Sequence, residues 1–235
     1  MREEGPPPGR RLRLFVGVVP SAGALNDLDA ACAPFRHDRD DLRWTSRELW
    51  HVTLAFLGEV SEESLPRLVF RLEHAARRNH TFGLSLAGAG AFSHPARAHV
   101  LWSGLSGDLR ALSDLAAAVA TAAHRGGATP PDADREFTPH LTLARCRAPA
   151  DVREIVACLD SYKGPDWTVA EIILIRSTLD GQQPRYEPVG SWQLSPGGTV
   201  FPDGGLPHPS RMGGSRPPSP PAIPPGPPTS PGQAR

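Results

Sequence analysis

Two stretches of this chain are nearly the same word: His51-Val52-Thr53-Leu54-Ala55 and His140-Leu141-Thr142-Leu143-Ala144, 89 residues apart. Each sets an imidazole and a hydroxyl at positions i and i+2 of an apolar, β-rich run. Alternate side chains share a face on a strand, so His51 projects with Thr53 and His140 with Thr142, each pair about 7 Å apart by backbone rise. Two such pairs facing each other enclose two titratable nitrogens and two hydroxyl donors. An ordinary imidazole pKa of about 6.5 lets one ring give a proton and the other take one at neutral pH. The hydroxyls suit oxygens on which negative charge builds. In-line hydrolysis of a phosphodiester needs this set: a base on the incoming water, an acid on the departing oxygen, and donors between. A single H-x-T is common by chance; two copies in matching contexts are not. Two histidines bind zinc only with further ligands, and neither strand has a carboxylate or cysteine at ligand spacing. Metal-free acid–base chemistry is expected, with no cofactor.

The elements that must position these residues can be read coarsely. Leu12 to Pro20 is an apolar run ended by proline. Ser21 then caps a helix toward Cys32 with Leu25 and Leu28 on its buried stripe. Leu49 to Gly58 reads as a buried strand. Ser61 opens a helix through about Arg78, with Glu62 and Glu63 in its first turn and arginines in its last, as the helix dipole favours. Thr81 to Phe92 and Ala98 to Leu105 read as strands around a His94-Pro95 turn, and Gly107 to Arg125 as an amphipathic helix before a Gly/Pro loop to Pro131. Phe137 to Cys146 predicts a strand, Ala150 to Leu159 a short helix, Trp167 to Leu179 one long strand, and Arg185 to Leu194 a last strand after a Gly181 turn. This alternation suggests α+β with antiparallel sheet. Doubly wound α/β is the runner-up, but no Gly-rich phosphate loop follows the first strand. The H-x-T echo suggests two similar lobes about a pseudo-twofold axis rather than a solenoid.

The 235 residues carry 25 Lys+Arg against 25 Asp+Glu, so no global charge draws the chain to a long nucleic acid or a membrane. If nucleic acid is the substrate, a terminus suits this charge better than a duplex. No run of eighteen apolar residues exists and the N-terminus has no apolar signal region, so neither a membrane span nor secretion by that route is expected. Cys32, Cys146 and Cys158 form no CxxC pair and fit a reducing cytoplasm. Of 27 prolines, 13 lie between Pro196 and Pro231, a stretch with almost nothing to bury. The expected organisation is therefore a disordered N-terminus over 1–10, one domain over 11–194 and a disordered tail over 195–235. That tail is an inert extension or, second, a ligand for a polyproline-binding partner.

With these residues in view, the chain resembles the two-histidine (2H) phosphoesterases, and within them the RNA 2′,3′-cyclic phosphodiesterases, also called 2′-5′ RNA ligases. The resemblance rests on RLFVGV, LRW followed by HVTLAFLGEV, GAGAF, VLWSGL, FTPHLTLAR, and ILIRSTL with Tyr186 beyond it. Trp50 departs from the smaller aliphatic that is common before the first histidine. The likeness implies two pseudo-symmetric α+β lobes with antiparallel sheets and outer helices flanking a central cleft. It implies hydrolysis of RNA 2′,3′-cyclic phosphate ends, or of cyclic nucleotides, to 2′-phosphates, and by reversal 2′-5′ joining without ATP. His51 is then the proton donor, His140 the proton acceptor, and Thr53 and Thr142 the phosphate ligands; the motifs alone do not say which histidine has which role. It also implies a phosphate or ribose contact for Arg145, although strict alternation puts this residue on the face opposite His140. Phe92, Tyr186 and Trp44 are candidates to stack on a terminal base, with core packing as the first expectation for each. His94 and His99 read as solvated, and Ser177 as structural. A monomer is expected. The competing functions are the same chemistry on another small cyclic phosphate or a 2′-5′ oligonucleotide, and a non-catalytic module that binds RNA termini.

Overall fold

The computed structural model describes residues 10–37, 39–129, 136–180 and 183–197. The N-terminal segment to residue 9, the end of the Gly/Pro loop, the tip of the Gly181 turn and the tail beyond residue 197 lie outside the described residues. Strands β1 (Arg11–Val18), β2 (Leu42–Trp44), β3 (Val52–Ser61), β4 (Phe82–Phe92), β5 (Ala98–Gly107), β6 (Leu141–Ala150), β7 (Trp167–Val169), β8 (Glu171–Asp180) and β9 (Gln183–Gln193) alternate with four helices. These are α1 (Ala22–Cys32), α2 (Leu65–Arg78), α3 (Leu109–Arg125) and α4 (Arg153–Leu159). Every strand pairing is antiparallel. The fold is thus α+β, and the doubly wound alternative does not hold.

The helices form where the sequence places their signals. The Ser21 hydroxyl accepts the Ala24 N–H, and Leu25, Leu28 and Cys32 turn inward. Asp108 accepts the Ala111 N–H at 2.9 Å to start α3, whose Leu112, Leu115, Ala116, Val119, Ala122 and Ala123 are buried. One expectation shifts: Glu62 and Glu63 sit in a 3-10 turn, and α2 starts only at Leu65. Pro66, which has no N–H to donate, stands in its first turn, where that lack costs nothing.

The strands run in the order β7-β4-β5-β6-β3-β1-β8-β9, with β2 on the free side of β6. The two expected sheets are therefore joined edge to edge. The first lobe is β3-β1-β8-β9 and the second β6-β5-β4-β7, and the only register between β3 and β6 is the pair Val52–Leu141. Both side chains are fully buried. β2 fills the notch where these two strands diverge, pairing Leu42 to Trp44 with Ala144 to Cys146.

The expected long strand from Trp167 to Leu179 is two strands. β7 pairs with β4 in the second lobe and β8 with β1 in the first, so the chain changes lobe at Ala170. The helices change lobe as well. α1 follows β1 yet packs on β4, and α3 follows β5 yet packs on β3. α4 joins α1 on β4, while α2 lies against α3 and β9. Order also runs past the expected boundary at residue 194. Ser195 N–H donates to the Asn79 carbonyl and the Thr81 N–H to the Ser195 carbonyl, and Thr81 also hydrogen-bonds Gly197.

The three cysteines are free, and burial pushes the Cys32 thiol up to about 11. No helix among the described residues is long and apolar enough to cross a membrane.

Candidate active site

The two H-x-T motifs stand at the junction of the lobes. Each strand starts one residue after its histidine, at Val52 and Leu141, so the rings project from the mouths of β3 and β6. An antiparallel register centred on Val52–Leu141 places His51 beside Thr142 and Thr53 beside His140, one step out on either side. Val52 and Leu141 point into the core, so these four side chains share the opposite face. A ladder diagonal such as His51 to His140 spans roughly 7–8 Å, with room for a tetrahedral group between the rings. All four residues line one cavity of about 930 Å³.

Both imidazoles are fixed in the same way. His51 Nδ1–H donates to the Leu49 carbonyl at 2.7 Å, and His140 Nδ1–H to the Thr138 carbonyl at 2.7 Å. Each acceptor lies two residues upstream of its ring. A carbonyl accepts only, so in each neutral ring the proton sits on Nδ1 and the Nε2 lone pair is left for the cavity. The Thr53 hydroxyl donates to His51 Nε2 at 3.1 Å. Burial is the main cause pushing His51 down to about 4, with the charges of His140 and Arg145 adding to it and the Leu49 carbonyl opposing it. His140 is lowered in the same sense by burial and by Arg145, against the Thr138 carbonyl.

Aromatic rings brace both histidines. Phe15 lies 4.7 Å from His51, and Tyr186 meets it edge-on at 5.4 Å. Phe92 stands edge-on to His140 at 4.7 Å, with Trp102 at 6.4 Å. Phe92, Tyr186 and Trp44 all line the cavity and are half-buried, and Trp44 also packs against the hydrophobic core. The departure at Trp50 is a packing change: this ring is buried and its Nε1–H donates to the Thr45 carbonyl at 3.1 Å.

Arg145 also lines the cavity, on the face that strict alternation denied it. The cause is a β-bulge. On β5, Leu101 and Trp102 are consecutive, but their partners on β6 are Ala144 and Thr142, so Leu143 is the extra residue. Leu143 and Ala144 are both buried, and Arg145 returns to the side of His140 and Thr142. β3 carries the same bulge at Leu54, between the pairs Gly17–Thr53 and Val16–Ala55. The residue that corresponds to Arg145 is there Phe56, a cavity-lining ring that is 48% exposed.

His94 and His99 are exposed and Ser177 lies in the β8–β9 ladder; none of the three lines the cavity. Sequence reasoning missed Phe15 against the His51 ring, and the cavity-lining Phe56, Arg43 and outer stripe of α3 (Ser113, Ala117, Ala120, Thr121, His124) that forms one wall. Spacing along α3 contains that stripe, but a face of small residues gives no sign of what it borders. Among the described residues no three His, Cys, Asp or Glu side chains gather closely enough to hold a metal ion.

Two pseudo-symmetric antiparallel lobes, each giving one H-x-T motif to a shared cleft, define a two-histidine phosphoesterase. Residues 25–181 match the family model described as the 2′-5′ RNA ligase superfamily, and the chain belongs to that family. A relative from Aquifex aeolicus, named RNA 2′,3′-cyclic phosphodiesterase, is 30% identical over 65% of this chain and 81% of its own length. One of the same name from Escherichia coli is 34% identical over 62% of this chain and 76% of its own. The crystal structure of Escherichia coli LigT complexed with 3′-AMP superposes with a TM-score of 0.65 at 28% identity, covering 79% of this chain and 99% of LigT. A Thermus thermophilus structure gives 0.62 at 28% identity, covering 78% of this chain and 98% of its own.

Proposed function

We propose that this cleft hydrolyses RNA 2′,3′-cyclic phosphate ends to 2′-phosphomonoesters, with His140 as general base and His51 as general acid. The observation that carries the proposal is the crossed quartet His51, Thr53, His140 and Thr142 on one face of one cavity. The names of the relatives support the substrate class.

His140 Nε2 removes a proton from the attacking water as its oxygen bonds to phosphorus. On the opposite side the bond from phosphorus to the 3′ oxygen breaks, and His51 Nε2–H delivers a proton to that oxygen. One proton is taken up and one given, leaving a 3′ hydroxyl and a 2′ phosphate, and the two rings reset through solvent. In the free protein His51 is neutral and its Nε2 accepts from Thr53. A bound phosphate anion favours the imidazolium. Once Nε2 carries a proton it no longer accepts, and the Thr53 hydroxyl is released to donate to a non-bridging oxygen. Thr142 donates to the other, where transition-state charge is held. Arg145 sits on the same face as a fixed cation, able to give forked hydrogen bonds to phosphate.

The test is incubation with a 2′,3′-cyclic nucleotide in EDTA, with the product identified by chromatography. A 2′-phosphomonoester is expected, and kcat in His51→Ala or His140→Ala lower by about 10²–10⁴-fold, the worth of one general acid or base. Unchanged substrate, or full turnover in either variant, removes the mechanism.

A further inference from the structure

One wall of the cleft has no part in that chemistry. β2 lies along β6 outward from the Val52–Leu141 junction, and its register sets Arg43 directly opposite Arg145. Both residues line the cavity. Antiparallel partners stand about 4.5–5.5 Å apart at Cα, and like charges facing each other so closely oppose strand pairing while concentrating positive potential. Among the described residues, the cavity lining carries Arg43, Arg125 and Arg145 against Glu136. Arg145 is the inner member of the pair, since its charge acts on His51, His140 and Tyr186. Arg43 lies beyond it. Next to Arg43, Trp44 also borders the cavity, while packing against the core beside Arg36, which is ion-paired to Asp29. At about 930 Å³ the space is near the upper end of single-ligand pockets, which run to roughly 1,000 Å³.

We propose that Arg43 forms a second phosphate subsite, binding the phosphodiester on the 5′ side of the terminal nucleotide, so that the site prefers oligonucleotide ends to cyclic mononucleotides. This rests on the reading of the cleft given above and adds the strand's path out of it. Guanidinium suits the position because its planar fork matches two phosphate oxygens.

The experiment measures binding without turnover. Wild type, Arg43→Gln and Arg43→Lys are titrated calorimetrically with 2′-AMP and with an adenosine trinucleotide ending in a 2′-phosphate, at several salt concentrations. Wild type is expected to bind the trinucleotide more tightly. In Arg43→Gln the ratio of trinucleotide to mononucleotide affinity is expected to fall about tenfold, and the salt slope for the trinucleotide to flatten by about 0.7, the single-strand value for one lost phosphate contact. Arg43→Lys keeps the charge and is expected to keep the slope. A ratio that stays the same in Arg43→Gln overturns the proposal, whether both affinities fall together or neither does. Thermal melting of each variant separates such a result from unfolding. If wild type binds these ligands as described but makes no 2′-phosphomonoester, the hydrolytic reading fails and the Arg43 subsite stands.

Discussion

His51 and His140 are held by one device, a carbonyl two residues upstream that fixes Nδ1–H and turns Nε2 to the cleft. Their shared burial has a kinetic consequence. Desolvation favours the neutral ring, so both groups titrate below the ordinary histidine value in the free protein. The proposed mechanism needs one ring charged and the other neutral, so the bell for kcat/KM, which reports the free protein, is expected to peak on the acid side of about pH 6.5. The limbs belong to the coupled pair rather than to either ring. Bound phosphate pulls both values up, so the kcat bell is expected to lie at higher pH. A kcat/KM maximum above pH 7, measured where chemistry limits the rate, contradicts this account. At this scale the sequence was informative about side chains that repeat. His51, Thr53, His140 and Thr142 stand out because the word occurs twice. The carbonyls of Leu49 and Thr138 do not, because any residue type supplies a carbonyl and only the backbone path aims it.

The paired bulges at Leu54 and Leu143 show where strand arithmetic stops. Period-two alternation holds through the leucine of each motif and fails at the alanine that follows, which is why strict alternation alone puts Arg145 on the far face. A bulge leaves no residue signature in H-x-T-L-A; it appears only in the register against β1 and β5. The division of Trp167 to Leu179 into β7 and β8 was hidden for a related reason, since hydrophobicity says that a strand is buried but not against which neighbour. β1 supplies a second constraint at Gly17, the partner of Thr53. A Cβ there would lie 2.9 Å from the Val52 carbonyl oxygen and 3.4 Å from His51 Cδ2. Gly17→Ala is therefore expected to push β3 and the ring apart, lowering kcat by roughly 10- to 100-fold and stability by about 1–3 kcal/mol. Steady-state kinetics and a denaturant melt check both, and a variant matching wild type in each would show that the contact is slack.

Across the whole molecule, the repeated motif was enough to anticipate two lobes, and the apolar patterns enough to anticipate α+β. The exchange of α1 and α3 between lobes was not legible, because an amphipathic stripe fixes which face is buried and not what covers it. That exchange outweighs the single Val52–Leu141 pair in joining the halves, since each lobe's sheet is covered by a helix that the other lobe's strand leads into. The folded part is thus expected to melt in one cooperative transition, with calorimetric and van't Hoff enthalpies equal. Two resolved transitions would mean that the lobes fold independently.

The bulges also leave Phe56 on β3 where β6 has Arg145. Backbone and motif are close to palindromic, yet these two positions are not interchangeable: a substrate entering reversed would bring its anion to a benzene ring. On the proposed mechanism a near-mirror scaffold thereby acquires a sense of direction, with this exchanged side chain helping to set which end of a strand meets which histidine.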